Sequence, residues 1–270
     1  MRADFDDLDD LDQFSFAVRT LSTSGFSETS SPVRGWRAVG SGGRAGVVAL
    51  RGPSVLGGRR SPWKSVVAAL ALHRVIRLQR GVFFFHAAAV GLGGRGVLMV
   101  GPKEVGKTTL SLALAERGHA FLSDEISVLR QESLELLPFR RRLSIRPGPS
   151  AAGVRRLLSR GPVPMLHLAD GTSRYLVPVA EVCPGQDVAP VAAAALVFLG
   201  PRGSRPRLER FTPGVEHLGL LTPLESVAWS MPRSAVALRL LRLLGRLPCY
   251  ALNPGPIPDT VGVLEDLMEV

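Results

Sequence analysis

A glycine-containing loop between an apolar run and a helix-forming segment constrains this chain more than any other feature. Residues 101–108 read GPKEVGKT and match the pattern G-x-x-x-x-G-K-[ST]. The run before the loop, residues 97–100, is short, uncharged and bounded by glycines, which is typical of a strand in a sheet covered on both faces. A predicted helix over residues 107–117 follows, and Gly118 ends it. We therefore predict a strand–loop–helix unit within an α/β fold.

Such a loop binds the phosphates of a nucleoside triphosphate through its backbone N–H groups and the helix N-terminus. We expect Lys107 to reach the β- and γ-phosphates and the hydroxyl of Thr108 to ligate magnesium. Glu104 stands at a position that glycine often holds and where φ tends to be positive, and its carboxylate is expected near phosphate. The residues predicted to bind the nucleotide are Gly101, Pro102, Lys103, Glu104, Val105, Gly106, Lys107, Thr108 and Thr109.

Two acidic residues follow the next predicted strand. Residues 120–123 form that strand, and it ends at Asp124 and Glu125. A right-handed β-α-β crossover places Asp124 at the same sheet edge as the loop. One carboxylate can then hold the magnesium ion that a bound triphosphate needs, while the other accepts a proton from an attacking hydroxyl. An exposed acidic turn is the alternative interpretation.

A histidine and an arginine cluster are further candidates. His86 lies inside the apolar run 82–90, which is predicted to be a buried strand close to the loop strand. A histidine in such a run is typical of a protein core, and pairing with Asp124 is the functional alternative. Arg140, Arg141 and Arg142 follow a predicted hairpin and either bind phosphate or an acidic substrate, or form a solvated charged turn.

The charge of the chain is unevenly distributed. Its net charge is +10, but residues 1–12 carry one arginine and six aspartates, so the rest of the chain is more basic still. No helix-turn-helix, RNP or zinc-finger spacing accompanies the basic residues, and we expect no nucleic-acid partner. A phosphate-rich nucleotide together with an acidic peptide or protein substrate accounts for the same charge.

Composition predicts three regions in a soluble, cytoplasmic protein. We predict an acidic disordered tail at 1–12, a small N-terminal β section at 13–62 and a P-loop domain at 63–270. Cys183 and Cys249 match no metal or redox spacing and are expected to be reduced. The acidic start is unlike a signal peptide and no uncharged run is long enough to span a bilayer, so no membrane partner is expected.

The segments HAAAV, GVLMVGPKEVGKTTLSLALAERGH and FLSDE resemble the kinase domain of the HPr kinase/phosphorylase family. They are more similar to the serine kinases associated with lasso-peptide biosynthesis, as are PFRRRLSIRPG and CYALNPGPIPD. The resemblance extends from Phe83 onward and covers about two-thirds of the chain. It implies a P-loop kinase domain of the HPr kinase C-terminal type, in which helices flank a central mixed sheet.

The resemblance also implies roles for individual residues. Asp124 would be the general base that activates a serine hydroxyl, His86 would assist it, and the loop that contains Lys107 would hold ATP. Thr108 and Glu125 would then be the magnesium ligands.

Three departures from the HPr kinase pattern favour a different substrate. Glu125 stands where those enzymes have aspartate, Lys103 and Glu104 stand where they usually have serine and glycine, and the N-terminal β section is unlike theirs. We expect the target to be a serine of a peptide or small protein, such as a lasso-peptide precursor. The alternatives are a nucleotide-binding regulatory or assembly module without catalysis, and a kinase for a small-molecule hydroxyl. A homo-oligomer is compatible with the sequence.

Overall fold

A computed structural model describes ten stretches of the chain. These are residues 27–29, 36–41, 44–49, 81–147, 163, 165–167, 173–184, 186, 188–221 and 233–269. The sequence pattern also predicts a strand at 14–20 and helices at 62–79, 151–158 and 223–229. These segments, like the predicted tail at 1–12, lie outside the described residues. The chain divides into two compact units, Met1–Arg80 and Gly81–Val270.

The first unit contains a small antiparallel sheet. Strands β1 (Ser27–Thr29), β2 (Trp36–Ser41) and β3 (Arg44–Ala49) pair in the order β1-β2-β3. Within the predicted N-terminal β section, the sequence pattern predicts a strand over 46–50, and β3 covers residues 46–49 of it.

The second unit contains the remaining described elements. The strands of its large sheet are β4 (Val82–Phe85), β5 (Ala87–Leu92), β6 (Arg95–Val100), β7 (Ala120–Ser123), β8 (Ser127–Arg130), β9 (Glu135–Leu137), β13 (Val191–Leu199), β14 (Arg207–Phe211) and β15 (Cys249–Asn253). A smaller sheet comprises β10 (Leu143–Ile145), β11 (Met165–His167) and β12 (Ser173–Val177). The helices are α1 (Lys107–Glu116), α2 (Val179–Val182), α3 (Arg233–Leu244), α4 (Ile257–Glu269) and a 3₁₀ helix (Val215–Gly219).

The large sheet is mixed. Its main part has the order β7-β5-β6-β13-β15-β14, in which β6, β7, β13 and β15 run parallel while β5 and β14 run antiparallel to them. The antiparallel strands β4, β8 and β9 join it where β9 pairs with the start of β13. The predicted central mixed sheet with flanking helices is therefore confirmed. Because carboxyl ends of parallel strands share one sheet edge, the residues after β6 and β7 are brought together.

Helices cover the main part of the sheet on both faces. Val90 and Met99 pack with Leu110 and Leu114 of α1 and with residues of α4. On the other face, Leu98 belongs to the cluster that includes apolar residues of α3. Strands β5 and β6 are therefore almost continuously apolar, as expected for strands buried on both faces. This packing fixes the strand that leads into the loop.

The small sheet packs beside α1 and β7. Its strands pair antiparallel in the order β10-β12-β11. Leu143 and Ile145 of β10 are buried in a cluster with Leu112 and Phe121, whereas Ser144 is exposed on the opposite face of the strand. Strand β10 therefore presents alternate residues away from the core and toward the loop region.

Three predicted boundaries were wrong. The strand predicted over 82–90 is two strands, because β4 pairs with β8 whereas β5 pairs with β6 and β7, and His86 lies at the break. The sequence pattern predicts a strand over 174–179, but the strand ends at Val177, where Pro178 leads into α2. The pattern also predicts Asp259 as the N-cap of the last helix, but that helix begins at Ile257 and Asp259 lies in its first turn. Pro258 also lies in this first turn. A proline is tolerated there because the first N–H groups of a helix have no partner within the helix.

Candidate active site

The loop after β6 wraps the start of helix α1. Gly106 is the N-cap of α1 with φ of 108°, and no side chain caps the helix. Because Gly106 is left-handed and has no Cβ, it leaves the first backbone N–H groups of the helix exposed. Open space surrounds the position where its Cβ would lie. The partial positive charge of the helix terminus adds to these donors, so the loop presents a binding site for an anion such as phosphate.

Lys107 is held within the loop. Its Nζ donates hydrogen bonds of 2.8 Å to the carbonyl oxygens of Gly101 and Pro102, and the residue is 7% exposed. Burial lowers the pKa of Lys107 below its ordinary value, and the carboxylates of Asp124 and Glu125 partly oppose this effect. The ammonium group is therefore fixed beside the helix N-terminus, where it can bind phosphate oxygens.

Asp124 follows β7 and faces the loop. The hydroxyl of Thr108 donates to its carboxylate, with Oγ1 at 3.0 Å from both Oδ1 and Oδ2. Burial raises the pKa of Asp124 to about 6, although the hydrogen bond from Thr108 acts in the opposite direction. The carboxylate of Glu125 raises that pKa further by repulsion between like charges. Asp124 is thus a carboxylate that takes up a proton at a higher pH than an exposed aspartate.

Glu125 occupies a strained turn at the end of β7. Its φ is 64°, and the Ile126 N–H donates a hydrogen bond of 2.7 Å to the Asp124 carbonyl oxygen across it. This three-residue hydrogen bond with positive φ is that of a γ-turn, which is rare for a residue with a side chain. The turn directs the Glu125 N–H to the Asp124 carboxylate, which lowers the pKa of that carboxylate slightly. Strain here orients the two acids of the site.

His86 reaches the same turn from the break between β4 and β5. Its imidazole donates a hydrogen bond to the backbone carbonyl of Glu125. Burial lowers the pKa of His86 most, and the nearby Lys107 ammonium lowers it further, so the ring is neutral at neutral pH. The break in the strand, which the sequence pattern did not indicate, places this side chain at the site instead of in the core.

The opposite side of the site is formed by the small sheet. A cavity of about 720 Å³ includes residues of the loop, both acids, His86, and residues of β10 and β12. Arg146 forms an ion pair with the carboxylate of Glu104, whose φ of 71° agrees with the conformation predicted at that position. The residues lining the cavity are His86, Lys103, Glu104, Gly106, Lys107, Thr108, Thr109, Asp124, Glu125, Ser144, Ile145, Arg146 and Arg174.

The sequence did not single out Arg146 and Arg174. They come from strands that pair in space but are separated along the chain by a stretch with no recognisable motif. The available signal was the alternation Leu143-Ser144-Ile145-Arg146, which places the polar residues on one strand face.

The cavity is not lined by the three arginines that follow the predicted hairpin, Arg140, Arg141 and Arg142. The guanidinium of Arg140 donates to the backbone carbonyls of Gln186, at 2.6 Å, and Cys183, at 3.4 Å, and thereby ties two chain segments together. Arg141 and Arg142 are partly buried and lie outside the cavity lining given above. A role for these arginines in binding substrate remains a prediction.

The donor set at the strand ends suits a hard cation. Thr108 offers a hydroxyl, and Asp124 and Glu125 offer carboxylates. Magnesium is usually bound by one or two such groups together with substrate phosphates, and this set fits that pattern. In the described residues there is no cluster of three or more His, Cys, Asp or Glu side chains that could hold a metal alone.

The chain thus combines a loop of the pattern G-x-x-x-x-G-K-[ST] with a mixed sheet that carries helices on both faces. A comparison with curated proteins finds similarity for one segment of the chain. The chain is 39% identical over 54 residues to the HPr kinase/phosphorylase of Chlorobium phaeovibrioides, and 34% identical over 61 residues to that of Chlorobium limicola. These segments make up 19% and 23% of this chain and only 16% and 18% of the two relatives. A part of the chain is thus similar to HPr kinase/phosphorylases, whereas most of their length is unmatched.

No family model matches the chain. Among solved structures, the Hpr(Ser) kinase/phosphatase from Coxiella burnetii aligns over 69% of this chain and 88% of that chain, with 16% identity and a TM-score of 0.34. In the part of the chain that the structure describes, no helix is long and apolar enough to cross a membrane.

Proposed function

We propose that this protein is an ATP- and magnesium-dependent serine kinase. The observation that carries the proposal is the Asp124 carboxylate, which contacts Thr108 at the mouth of the phosphate loop and has a pKa of about 6. A general base is most effective when its pKa lies near the working pH, because it is then ionised and still accepts a proton readily. The segment similar to HPr kinase/phosphorylases supports phosphotransfer as the reaction class.

Different residues of the chain bind the phosphate donor and activate the acceptor hydroxyl. Lys107 and the first N–H groups of α1 bind the β- and γ-phosphates and orient the donor for in-line attack. Asp124 accepts the proton of the acceptor hydroxyl as its oxygen forms a bond to the γ-phosphorus. The bond between that phosphorus and the oxygen bridging to the β-phosphate breaks, and ADP leaves. His86 keeps the Asp124–Glu125 turn in place through its hydrogen bond to the Glu125 carbonyl.

Thr108 and Glu125 are the proposed magnesium ligands. The oxygen donors of this edge fit that ion, as described above. Magnesium bound there would neutralise charge on the phosphate oxygens during transfer.

The proposed acceptor is a serine of a peptide or small protein, and a lasso-peptide precursor is the specific candidate. The high positive charge of the chain beyond residue 12 supports an acidic partner. The departures at Glu104 and Glu125 support an acceptor other than HPr.

The test is phosphate transfer from γ-labelled ATP with magnesium. The acceptor panel contains serine peptides, lasso-peptide precursors, HPr and small alcohols, and nucleotide binding is measured in parallel. We expect transfer to a serine peptide, and loss of transfer but not of nucleotide binding in Asp124→Asn. Asp266→Asn is the matched control, because Asp266 is exposed on α4 and does not line the cavity.

Each contrary result points to a defined alternative. Nucleotide binding without transfer to any acceptor would indicate a regulatory or assembly module. Transfer to small alcohols alone would indicate a metabolite kinase, and transfer that persists in Asp124→Asn would remove the assigned base.

A further inference from the structure

One arginine directly follows β10 of the small sheet and a second lies in its partner strand β12. Strands β10 and β12 pair antiparallel with Ser144 opposite Leu176 and Ile145 opposite Tyr175. Continuing this register by one residue places Arg146 opposite Arg174, and both line the cavity of the phosphate loop. Directly opposed residues on one face of a sheet have Cβ atoms about 5 Å apart, and like charges in that arrangement are destabilising. Such a pair therefore favours an anion bound between or beside the two guanidinium groups.

A carboxylate of the chain already contacts one member of this pair. Glu104 extends from the phosphate loop and forms an ion pair with Arg146, in which both side chains are about half exposed. Arg174 forms no ion pair with any residue that the structure describes. The single carboxylate offsets one of the two positive charges, so the pair retains affinity for a second or stronger anion. The contact with Glu104 shows that Arg146 accepts a carboxylate at this position.

The edge of the small sheet favours a peptide as the source of that anion. Among the described strands, β10 is the edge strand of the order β10-β12-β11, and Ser144, Ile145 and Arg146 line the cavity. An edge strand presents unpaired N–H and C=O groups, and an extended peptide can bind along it by main-chain hydrogen bonds. A peptide bound in this way would run along Ser144 and Arg146, which line the same cavity as Asp124.

We propose that Arg146 and Arg174 form a subsite for an acidic residue next to the target serine of a peptide, and that Glu104 occupies it until the peptide displaces it. The inference rests on the proposed kinase function and specifies its substrate class. The carboxylate of the peptide replaces that of Glu104 on the guanidinium groups, and this exchange frees the loop carboxylate from the acceptor side of the cavity. Arg146 and Arg174 are substrate-positioning residues in this scheme.

The kinetic test uses two serine peptides that differ only in flanking residues, aspartate in one and asparagine in the other. We expect the full-length protein to have a lower KM for the aspartate peptide. Arg174→Met should raise that KM about tenfold, the loss expected for one charge-assisted contact, and leave the KM of the asparagine peptide unchanged. Glu104→Gln should lower the KM of the aspartate peptide. Arg207→Met is the matched control, since Arg207 is exposed on β14 and pairs with Glu209.

Two outcomes would overturn the inference. Equal KM values of the wild-type protein for both peptides would remove the acidic preference. Weaker binding of a fluorescent ATP analogue by Arg174→Met, with an unchanged KM for both peptides, would assign the pair to a phosphate of the nucleotide instead.

A binding measurement separates this inference from the proposed function. Fluorescein-labelled versions of both peptides, with alanine in place of serine, are titrated with the protein and followed by anisotropy. If no peptide is ever phosphorylated but the aspartate peptide binds more tightly in an Arg174-dependent manner, the kinase proposal fails and the subsite stands. If transfer occurs and both peptides bind equally, the kinase stands and the subsite fails. Absence of binding by either peptide also contradicts the subsite.

Discussion

At the scale of single residues, Asp124 combines opposing demands of stability and chemistry. Burial raises its pKa from the ordinary 3.8 to about 6. Above about pH 6 the folded protein must keep a desolvated charge, which costs free energy of folding. The same shift makes the carboxylate a better proton acceptor. The residue therefore destabilises the fold in the pH range where it would be catalytic.

The pH dependence of phosphate transfer follows from this pKa. We expect kcat/KM to fall about tenfold per pH unit below about pH 6, because the protonated carboxyl cannot accept the hydroxyl proton. Initial rates with a serine peptide across the acidic range measure it. Asp124→Asn should reduce kcat at neutral pH by about 10²- to 10⁴-fold, the usual contribution of a general base. A rate that stays constant well below pH 6 would contradict the assignment.

The Asp124→Asn substitution should increase the stability of the protein, although it decreases kcat. Because the folded pKa is raised, wild-type protein loses stability as pH rises from about 4 to about 6, and the neutral amide avoids this loss. We expect the variant to gain up to about 3 kcal/mol at pH values above 6 and nothing near pH 4, since one pKa unit corresponds to about 1.4 kcal/mol. Urea denaturation of both proteins at the two pH values measures the difference. An equal difference at both pH values would show that the charge is not its cause.

Residues within one local motif could be predicted, and residues joined only by the fold could not. The places of Lys107 and Thr108 in the site follow from the spacing of the loop motif. The place of Asp124 follows from the single β-α-β crossover after the loop. Whether His86 belonged to the core or the site depended on a strand break caused by pairing with β8 on one side and β6 on the other. Arg174 reaches the cavity only because β12 pairs with β10, which no local pattern specifies.

At the scale of elements, the loop–helix unit depends on left-handed residues at both ends of α1. Gly106 precedes the helix with φ of 108°, and Gly118 follows it with φ of 94°. Glycine adopts such angles without the steric cost of a Cβ. The sequence identified both positions because the motif and the helix-stop signal are local.

A pair of glycine substitutions should separate backbone conformation from packing. A Cβ added at Gly118 or at Gly262 would meet no atom within 4 Å, but only Gly118 has positive φ. Gly118→Ala should therefore destabilise the protein by about 1 kcal/mol, and Gly262→Ala, inside helix α4, should stabilise it by about 0.5–1 kcal/mol. Thermal and urea denaturation measure both. If the two variants changed stability in the same direction, φ at Gly118 would not be the controlling factor.

Nucleotide binding should stabilise the loop–helix unit through Lys107. A ligand at 100 times its Kd raises the free energy of unfolding by about 2.7 kcal/mol. We expect ATP with magnesium to raise the melting temperature of the wild-type protein, and to have much less effect on Lys107→Ala, which lacks the ammonium group. Differential scanning fluorimetry over a range of nucleotide concentrations measures the shift. Arg207→Ala is the control, because Arg207 is an exposed basic residue of β14 that does not line the cavity. Equal shifts in wild-type protein and Lys107→Ala would contradict the role of this lysine.

At the scale of the whole molecule, the order of strands assembles the site. Strand β13 pairs with β6 and β15 and, at its start, with β9, which joins the main sheet to the antiparallel strands β4, β8 and β9. His86 lies between β4 and β5, where the chain passes from one part of the sheet to the other. The sequence predicted a mixed sheet with flanking helices, but not this order, because each apolar strand could pair with several others. The described residues of the cavity all lie within Gly81–Val270.

This arrangement predicts that residues 81–270 fold and bind nucleotide without the first unit. That part contains the buried clusters formed around the large sheet and all the described residues that line the cavity. A unit with its own core unfolds as a single cooperative transition. We expect the fragment to unfold cooperatively in urea and to be stabilised by ATP with magnesium as strongly as the full chain. A fragment with native-like far-ultraviolet circular dichroism but no cooperative transition would show that residues 1–80 complete the core.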